Sequence, residues 1–376
     1  MVSRPKPKQA QETAPPPILA SATAPCPEAS SQSRLSGFPP SGAAPYSVET
    51  SPEIMLRDAQ RSKDLPVTVY HPKAAGKFPL IVFSHGAGGS GDAGLPIARY
   101  WAGQGYIVIC PTHDDSIKLR RSRGEDAAEA LRGLIDRAVS REEDWISRPK
   151  DISFVLDSLD MIEAKVPALQ GKLDRDRIGM GGHSLGAYTA QVIGGATVKL
   201  AGKNEAQSFA DARVKAILQL SGQGRGQQGL HEHSWDEIRL PMMCVTGTLD
   251  RGAQGQNSDW RRDPFALSPP GDKYFLFIQG ANHGSFTGRL AEGGADPAAG
   301  AARLAALFPR LGRRLNALSG TGGGAAGDQK AIFDWVEQAT TAFWNAYLKN
   351  APEAKSWLES DSIEQISRQA AKLEKR

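Results

Sequence analysis

The chain has little cysteine, no long apolar run and almost no net charge, and each shortage removes a class of protein. Three cysteines in 376 residues, Cys26, Cys110 and Cys244, do not make the disulfide framework of a small secreted domain. Two of them lie in the apolar runs YIVIC and MMCV, where cysteine behaves as a small hydrophobe. No apolar stretch approaches the roughly 20 residues needed to span a bilayer. The segment PPPILASATAPC is too short and too broken by proline for the hydrophobic region of a signal peptide, so the expectation is a soluble, cytoplasmic protein without a membrane span. The formal net charge is only +4. The basic group Lys118, Arg120, Arg121 and Arg123 is answered at once by Glu125, Asp126 and Glu129, which leaves no one-signed surface for nucleic acid. Internal repeats are missing as well.

What the chain does have is enough apolar residue, 40%, for a large core, arranged in an alternating pattern. Residues 1–48 are rich in Pro, Ala, Ser and Gln and read as a disordered arm, because they cannot bury enough apolar surface to offset the entropy of ordering. Two short strands, EIMLRD and LPVTVYHP, follow around the turn AQRSKD. Strand-like runs then come at 80–83, 106–110, 177–181, 216–220, 242–245 and 274–278, interleaved with helical patterns at 95–103, 151–162, 185–193 and 331–348. Short apolar strands alternating with helices predict a mostly parallel central sheet with helices on both faces, one catalytic domain over 49–350. Pro149 fits the first turn of a helix running through KDISFVLDSLDMI. Two segments depart from the alternation: a charged excursion at 114–148, expected at the rim of a site or as a lid, and a Gly/Ala-rich insertion at 284–328 with a helix expected over 301–318. Residues 351–376 read as a charged helical tail.

The most specific signal is IGMGGHSLGAY, in which a strand-like run leads into Gly182-His183-Ser184-Leu185-Gly186. A serine on a tight strand-to-helix turn holds a strained backbone and is crowded two residues before and two after, so glycine is required at both places. The bland alternative is a helix-capping serine. A serine hydroxyl needs a base to take its proton and an acid to orient that base. In this strand-turn-helix setting they follow in the order Ser, Asp, His, each just after a strand. LPMMCVTGTLDRG offers Asp250, with Asp259 and Asp263 as nearby competitors, and YFLFIQGANHGSF offers His283, the only histidine after Asp250. His183, beside the nucleophile at a sharp turn, is expected to support the turn. The pair His231 and His233 has no third ligand at sensible spacing, so no metal site is expected.

FSHGAGGSG carries Gly86-x-Gly88-x-x-Gly91, the spacing of a dinucleotide loop. That reading requires an acidic residue about 20 positions on, at the end of the next strand; that strand ends at Cys110 without one. The remaining use is an oxyanion hole, built from the N–H groups of Ala87 and of Leu185, the residue after the nucleophile.

With VTVYHPKAAGKFPLIVFSHGAGG, WAGQGYIVICPTHDDS, RPKDISFVLD, RIGMGGHSLGAY and the Asp250 and His283 turns together, the chain resembles the α/β-hydrolase superfamily from about residue 65 to 283. Within it, it is similar to the esterase group of dienelactone hydrolases, chlorophyllases and platelet-activating-factor acetylhydrolases. The resemblance implies an α/β-hydrolase fold and a serine carboxylic-ester hydrolase with Ser184 as nucleophile, His283 as base, Asp250 as orienting acid and Ala87 and Leu185 as oxyanion donors. It implies a small-molecule ester substrate and no cofactor. Dienelactone hydrolases proper use a cysteine where this chain has Ser184, which points to ordinary esters. The same triad serves lactone, amide and thioester hydrolases and acyltransferases, and the fold also serves binding modules without catalysis. Thr112, Gln223 and Arg251 are expected near the substrate, since strand C-termini face the site in such sheets. Oligomeric state is not legible.

Overall fold

The computed structural model describes residues 1, 44–92, 95–126, 129–130, 141–293 and 327–376. The contacts divide the chain into residues 1–34 and 35–376, and the described strands and helices all belong to the second unit. Most of the arm expected at 1–48, the helix expected over 301–318 with most of its insertion, and the middle of the 114–148 excursion lie outside the described residues.

The predicted strands all form. In chain order the elements are β1 (Val48–Thr50), β2 (Ile54–Asp58), β3 (Lys63–Pro72), β4 (Phe78–Ser84), α1 (Pro96–Gly103), β5 (Ile107–Pro111), α2 (Ile117–Ser122), α3 (Glu142–Asp157), α4 (Leu159–Lys165), β6 (Leu173–His183) and α5 (Leu185–Ile193). There follow β7 (Val214–Leu220), β8 (Met242–Leu249), α6 (Asp263–Leu267), β9 (Lys273–Asn282), α7 (Gln329–Leu348), α8 (Pro352–Glu359), α9 (Ser362–Ile366) and β10 (Ala371–Lys375). The sheet order is β1-β3-β5-β4-β6-β7-β8-β9-β10, with β2 on β3. The stretch from β5 to β9 is parallel throughout. Antiparallel strands finish both edges. This is a mostly parallel mixed sheet flanked by helices, an α/β-hydrolase fold.

Side chains alternate across a strand, so β4 serves two cores. Leu80 and Val82 join Trp145, Ile152, Val155 and Tyr188 on one face. Ile81 and Phe83 join Trp101, Phe343, Trp344 and Trp357 on the other. Trp101 meets Phe83 and Trp344 edge-on at centroid distances of 5.5 and 5.9 Å. Its Nε1–H donates to Thr340 Oγ1 at 3.1 Å. Edge-on aromatic pairs contribute about 0.5–1.5 kcal/mol beyond the area they bury.

Two local expectations need correction. Pro149 sits inside α3 rather than in its first turn, because the helix begins earlier, at the acidic run Glu142, Glu143 and Asp144, which suits the positive end of the helix dipole. The C-terminal tail is not wholly helical. After α8 and α9, KLEK continues as β10, pairing Ala371 with Ile278 through Lys375 with Tyr274. An edge strand left open is a liability for association, and β10 covers the β9 edge while Arg262 pairs with Glu374 at 2.5 Å.

Candidate active site

Three loops at the C-terminal ends of parallel strands meet. Ser184 follows β6, Asp250 follows β8 and His283 follows β9. Ser184 has φ 55° and ψ −121° at the head of α5, in the left-handed region that costs an L-residue energy and persists only where its surroundings impose it. Those surroundings are close. A Cβ on Gly182 would stand 2.1 Å from Gly186 O, and one on Gly186 would stand 1.9 Å from Ser84 O. No residue but glycine fits either place, as GHSLG requires.

His283 Nε2 is 3.0 Å from Ser184 Oγ, and His283 Nδ1 is 3.1 Å from Asp250 Oδ1. Asp250 and His283 are 0% and 15% exposed at the side chain, and Ser184 is half-buried. The two competing acids are elsewhere: Asp263 Oδ2 accepts from the Arg225 backbone at 3.0 Å, and Asp259 receives Asn257 Nδ2 at 3.1 Å. His183, expected to support the turn, reaches across to the His283 loop. Its Nε2 donates to His283 O at 2.7 Å, and burial, then the neighbouring His283, lowers its pKa to about 3.

Sequence reasoning missed the groups around Asp250. Ser221, at the end of β7, lies between the β6 and β8 termini in the sheet order. Its hydroxyl donates to Asp250 Oδ1 at 2.9 Å and lies 2.6 Å from His283 Nδ1. Thr246 Oγ1 donates to Asp250 Oδ2 at 2.9 Å. The guanidinium of Arg261 pairs with Asp250 Oδ1 at 3.0 Å, both side chains almost wholly buried. Burial alone would raise the Asp250 carboxyl; Arg261, then His283 and Ser221, hold it below the usual carboxylate value instead. No motif announces Ser221 or Arg261; the only local signal is a Ser-Gly after an apolar strand.

The glycine loop after β4 is equally constrained. His85 Nε2 accepts from His113 N at 3.0 Å, so in the neutral ring Nδ1 carries the proton and donates to Gly86 O at 2.6 Å. Burial, then the Arg148 cation, lowers the His85 pKa to about 4, which keeps that tautomer neutral. Gly89 N also donates to Gly86 O, at 3.1 Å. Because the peptide is planar and trans, fixing Gly86 C=O fixes the Ala87 N–H on the opposite side. Asp115 Oδ2 accepts Gly88 N at 2.9 Å. Arg148 in turn grips Asp115 Oδ1 and Oδ2 at 3.1 and 2.8 Å, and His85 O at 2.6 Å. The charged excursion therefore supplies the clamp of this loop through Asp115 and Arg148. Among the described residues, neither Ala87 N nor Leu185 N donates to another group.

A second Ser-His-Asp line lies beneath the loop. Ser84 Oγ is 2.9 Å from His113 Nε2, and His113 Nδ1 is 2.8 Å from Asp151 Oδ2. Ser84 and Asp151 are 0% exposed and His113 1%, and Asp151 also pairs with Arg61 and Lys63 at 2.7 and 2.8 Å. No substrate reaches Ser84, so hydrogen-bond geometry alone does not mark a nucleophile; exposure and the strained turn separate Ser184 from it.

The remaining predicted residues are scattered in role. Thr112 Oγ1 accepts Gly91 N at 3.0 Å and is spent on the glycine loop. The Gln223 carbonyl accepts Gln191 Nε2 at 3.0 Å. Arg251 is exposed, and its carbonyl accepts Arg261 Nη2 at 2.8 Å. Among the described residues no cluster of His, Cys, Asp or Glu is fit to hold a metal, and no helix is long and apolar enough to cross a membrane.

Comparison with curated proteins gives no match to the chain. Residues 51–148, which run from the first strands through the glycine loop to Arg148, match the family model described as platelet-activating factor acetylhydrolase, isoform II. With the fold, that match makes the chain similar to an α/β-hydrolase family of esterases and supports a hydrolase of that kind.

Proposed function

We propose that this chain is a serine carboxylic-ester hydrolase that works through an acyl-enzyme intermediate. The observation that carries the reading is the unbroken line from Ser184 Oγ to His283 Nε2 at 3.0 Å and from His283 Nδ1 to Asp250 Oδ1 at 3.1 Å, starting from a half-buried serine on a strained turn. Ser184 attacks the ester carbonyl while His283 Nε2 takes its proton; Asp250, ionised, holds the ring in the Nδ1–H tautomer and stabilises the imidazolium. The oxyanion is received by the N–H groups of Ala87 and Leu185, each such donor being worth about 2.7–4 kcal/mol in the transition state. His283 then protonates the departing alcohol, and the acyl group is left on Ser184. Water attacks that ester, His283 accepting its proton and returning it to Ser184 as the carboxylic acid leaves.

The family match suggests the substrate class: esters of short acyl groups, including the acetyl ester named in the family's description. The test is hydrolysis of p-nitrophenyl esters from acetyl to dodecanoyl, run beside Ser184→Ala. The reading expects turnover strongest at the short acyl end and loss of nearly all of it, on the order of 10⁴-fold or more, in the variant. Ordinary activity in folded Ser184→Ala protein contradicts it.

A further inference from the structure

The Asp250 carboxylate is shared more widely than a His-Asp pair requires. Its Oδ1 receives His283 Nδ1 at 3.1 Å, Ser221 Oγ at 2.9 Å and Arg261 Nε at 3.0 Å. Ser221 Oγ stands nearer to His283 Nδ1, at 2.6 Å, than the carboxylate does. A hydroxyl has one proton, and here it goes to Asp250. The Ser221 lone pair therefore shares the one Nδ1–H with Asp250 Oδ1, and the hydroxyl bridges ring and acid.

Ser221 is itself held. Its backbone has φ 58°, and its N–H donates to Val245 O at 2.8 Å. Arg261 Nη1 donates to Ser221 O at 2.8 Å and to Gly222 O at 3.0 Å. Arg261 Nη2 donates to Arg251 O at 2.8 Å and lies 3.3 Å from His283 Nδ1. One buried guanidinium thus ties the chain after β7, the chain after β8 and the carboxylate together.

We propose that Arg261 and Ser221 are positioning residues of the hydrolytic site: Arg261 locks the ends of β7 and β8 in register and offsets the Asp250 charge, and Ser221 carries that hold to the His283 ring. The inference rests on Ser184, His283 and Asp250 acting as proposed above. Arg261 holds the carboxylate and the two loop ends at once, so removing its fork frees all three and with them the ring they orient.

The test measures kcat, KM and the rate of Ser184 labelling by a fluorophosphonate in Arg261→Gln, Arg261→Lys and Ser221→Ala. Arg261→Gln loses both charge and fork, so kcat and the rate of Ser184 labelling should fall together about a hundredfold with KM little changed. Arg261→Lys keeps the charge and loses the fork, so it should recover part of that loss, with kcat about tenfold below wild type. Ser221→Ala should lower kcat about tenfold to a hundredfold with KM little changed. If Arg261→Gln does not fold, the other two variants decide. Wild-type kcat and labelling rate in the folded variants overturn the inference alone. Folded wild-type protein that takes no label at Ser184 overturns the reading beneath it, and the inference with it.

Discussion

Replacing Asp115 with Asn separates the charge of the loop clamp from its shape. Asp115 Oδ2 accepts from Gly88 N at 2.9 Å and Arg148 Nη2 at 2.8 Å, and Oδ1 accepts Arg148 Nε at 3.1 Å. An Asn with its oxygen at the Oδ2 position keeps the first two bonds. It also turns an NH₂ donor toward the Nε–H donor and leaves Arg148, 1% exposed, without a counter-charge. Breaking a buried ion pair from one side costs about 3–5 kcal/mol. The lower part of that range applies, because Arg148 keeps His85 O at 2.6 Å and Ser84 Oγ at 3.2 Å. Loosening Gly86–Gly88 also blurs the Ala87 N–H. Outright loss of an oxyanion donor costs about 10²–10³ in kcat, so a loosened one should cost roughly ten- to a hundredfold, with KM much less affected. Urea unfolding and steady-state ester hydrolysis read the two effects. Asp114→Asn is the control: Asp114 is part exposed and pairs with the exposed Arg123 and with Lys63, which keeps Asp151 at 2.8 Å, so the loss should be about 1 kcal/mol or less. A midpoint and kcat for Asp115→Asn that match this control would refute the clamp.

Two more outcomes are expected from the buried histidines and the last strand. Burial lowers His85 to about 4, His183 to about 3 and His113 well below its ordinary value, so each stays neutral in the fold while the unfolded chain protonates near pH 6.5. Unfolded protein binds more protons in that window, and stability should fall as pH drops from about 6.5 toward 4, by up to about 4 kcal/mol per pH unit if all three act; a flat denaturation midpoint from pH 7 to 5 contradicts this. Ending the chain at Ser367 removes β10, exposing the β9 edge from Tyr274 to Ile278 and breaking the Arg262–Glu374 pair. The truncated protein should lose stability and associate at micromolar concentration in light scattering, and a stable monomer speaks against β10 as an edge cover.

The parts of this site that could be read from the sequence are those fixed by local sterics. Gly182 and Gly186 are dictated by approaches of 2.1 and 1.9 Å to any added Cβ, and any serine at that turn needs them. The order of Ser184, Asp250 and His283 reflects strands that each deliver one residue at the same sheet edge. What stayed hidden depends on long-range side-chain pairing. Arg148 reaches back to Asp115 and His85, and Arg261 to Ser221 and Asp250. On paper each is one basic residue among many, and its burial is set by neighbours far along the chain. Pro149 misled for a related reason: inside α3 it forfeits a backbone hydrogen bond, and the burial of Trp145, Ile152 and Val155 on the same helix offsets that cost. KLEK was too short and too charged to stand out as a strand until β9 was there to pair with it.

The proposed function requires that Ser184, and no other serine, act as nucleophile. Ser84 provides an internal comparison, because it belongs to a Ser-His-Asp line of similar dimensions but is fully buried. The measurement is mass spectrometry of peptides after the folded protein is treated with a fluorophosphonate, whose phosphorus is attacked by an activated serine oxygen as fluoride leaves. The account predicts one adduct, on Ser184, lost in Ser184→Ala and in His283→Ala. An adduct on Ser84 or Ser221, or none on folded, ester-hydrolysing protein, contradicts it.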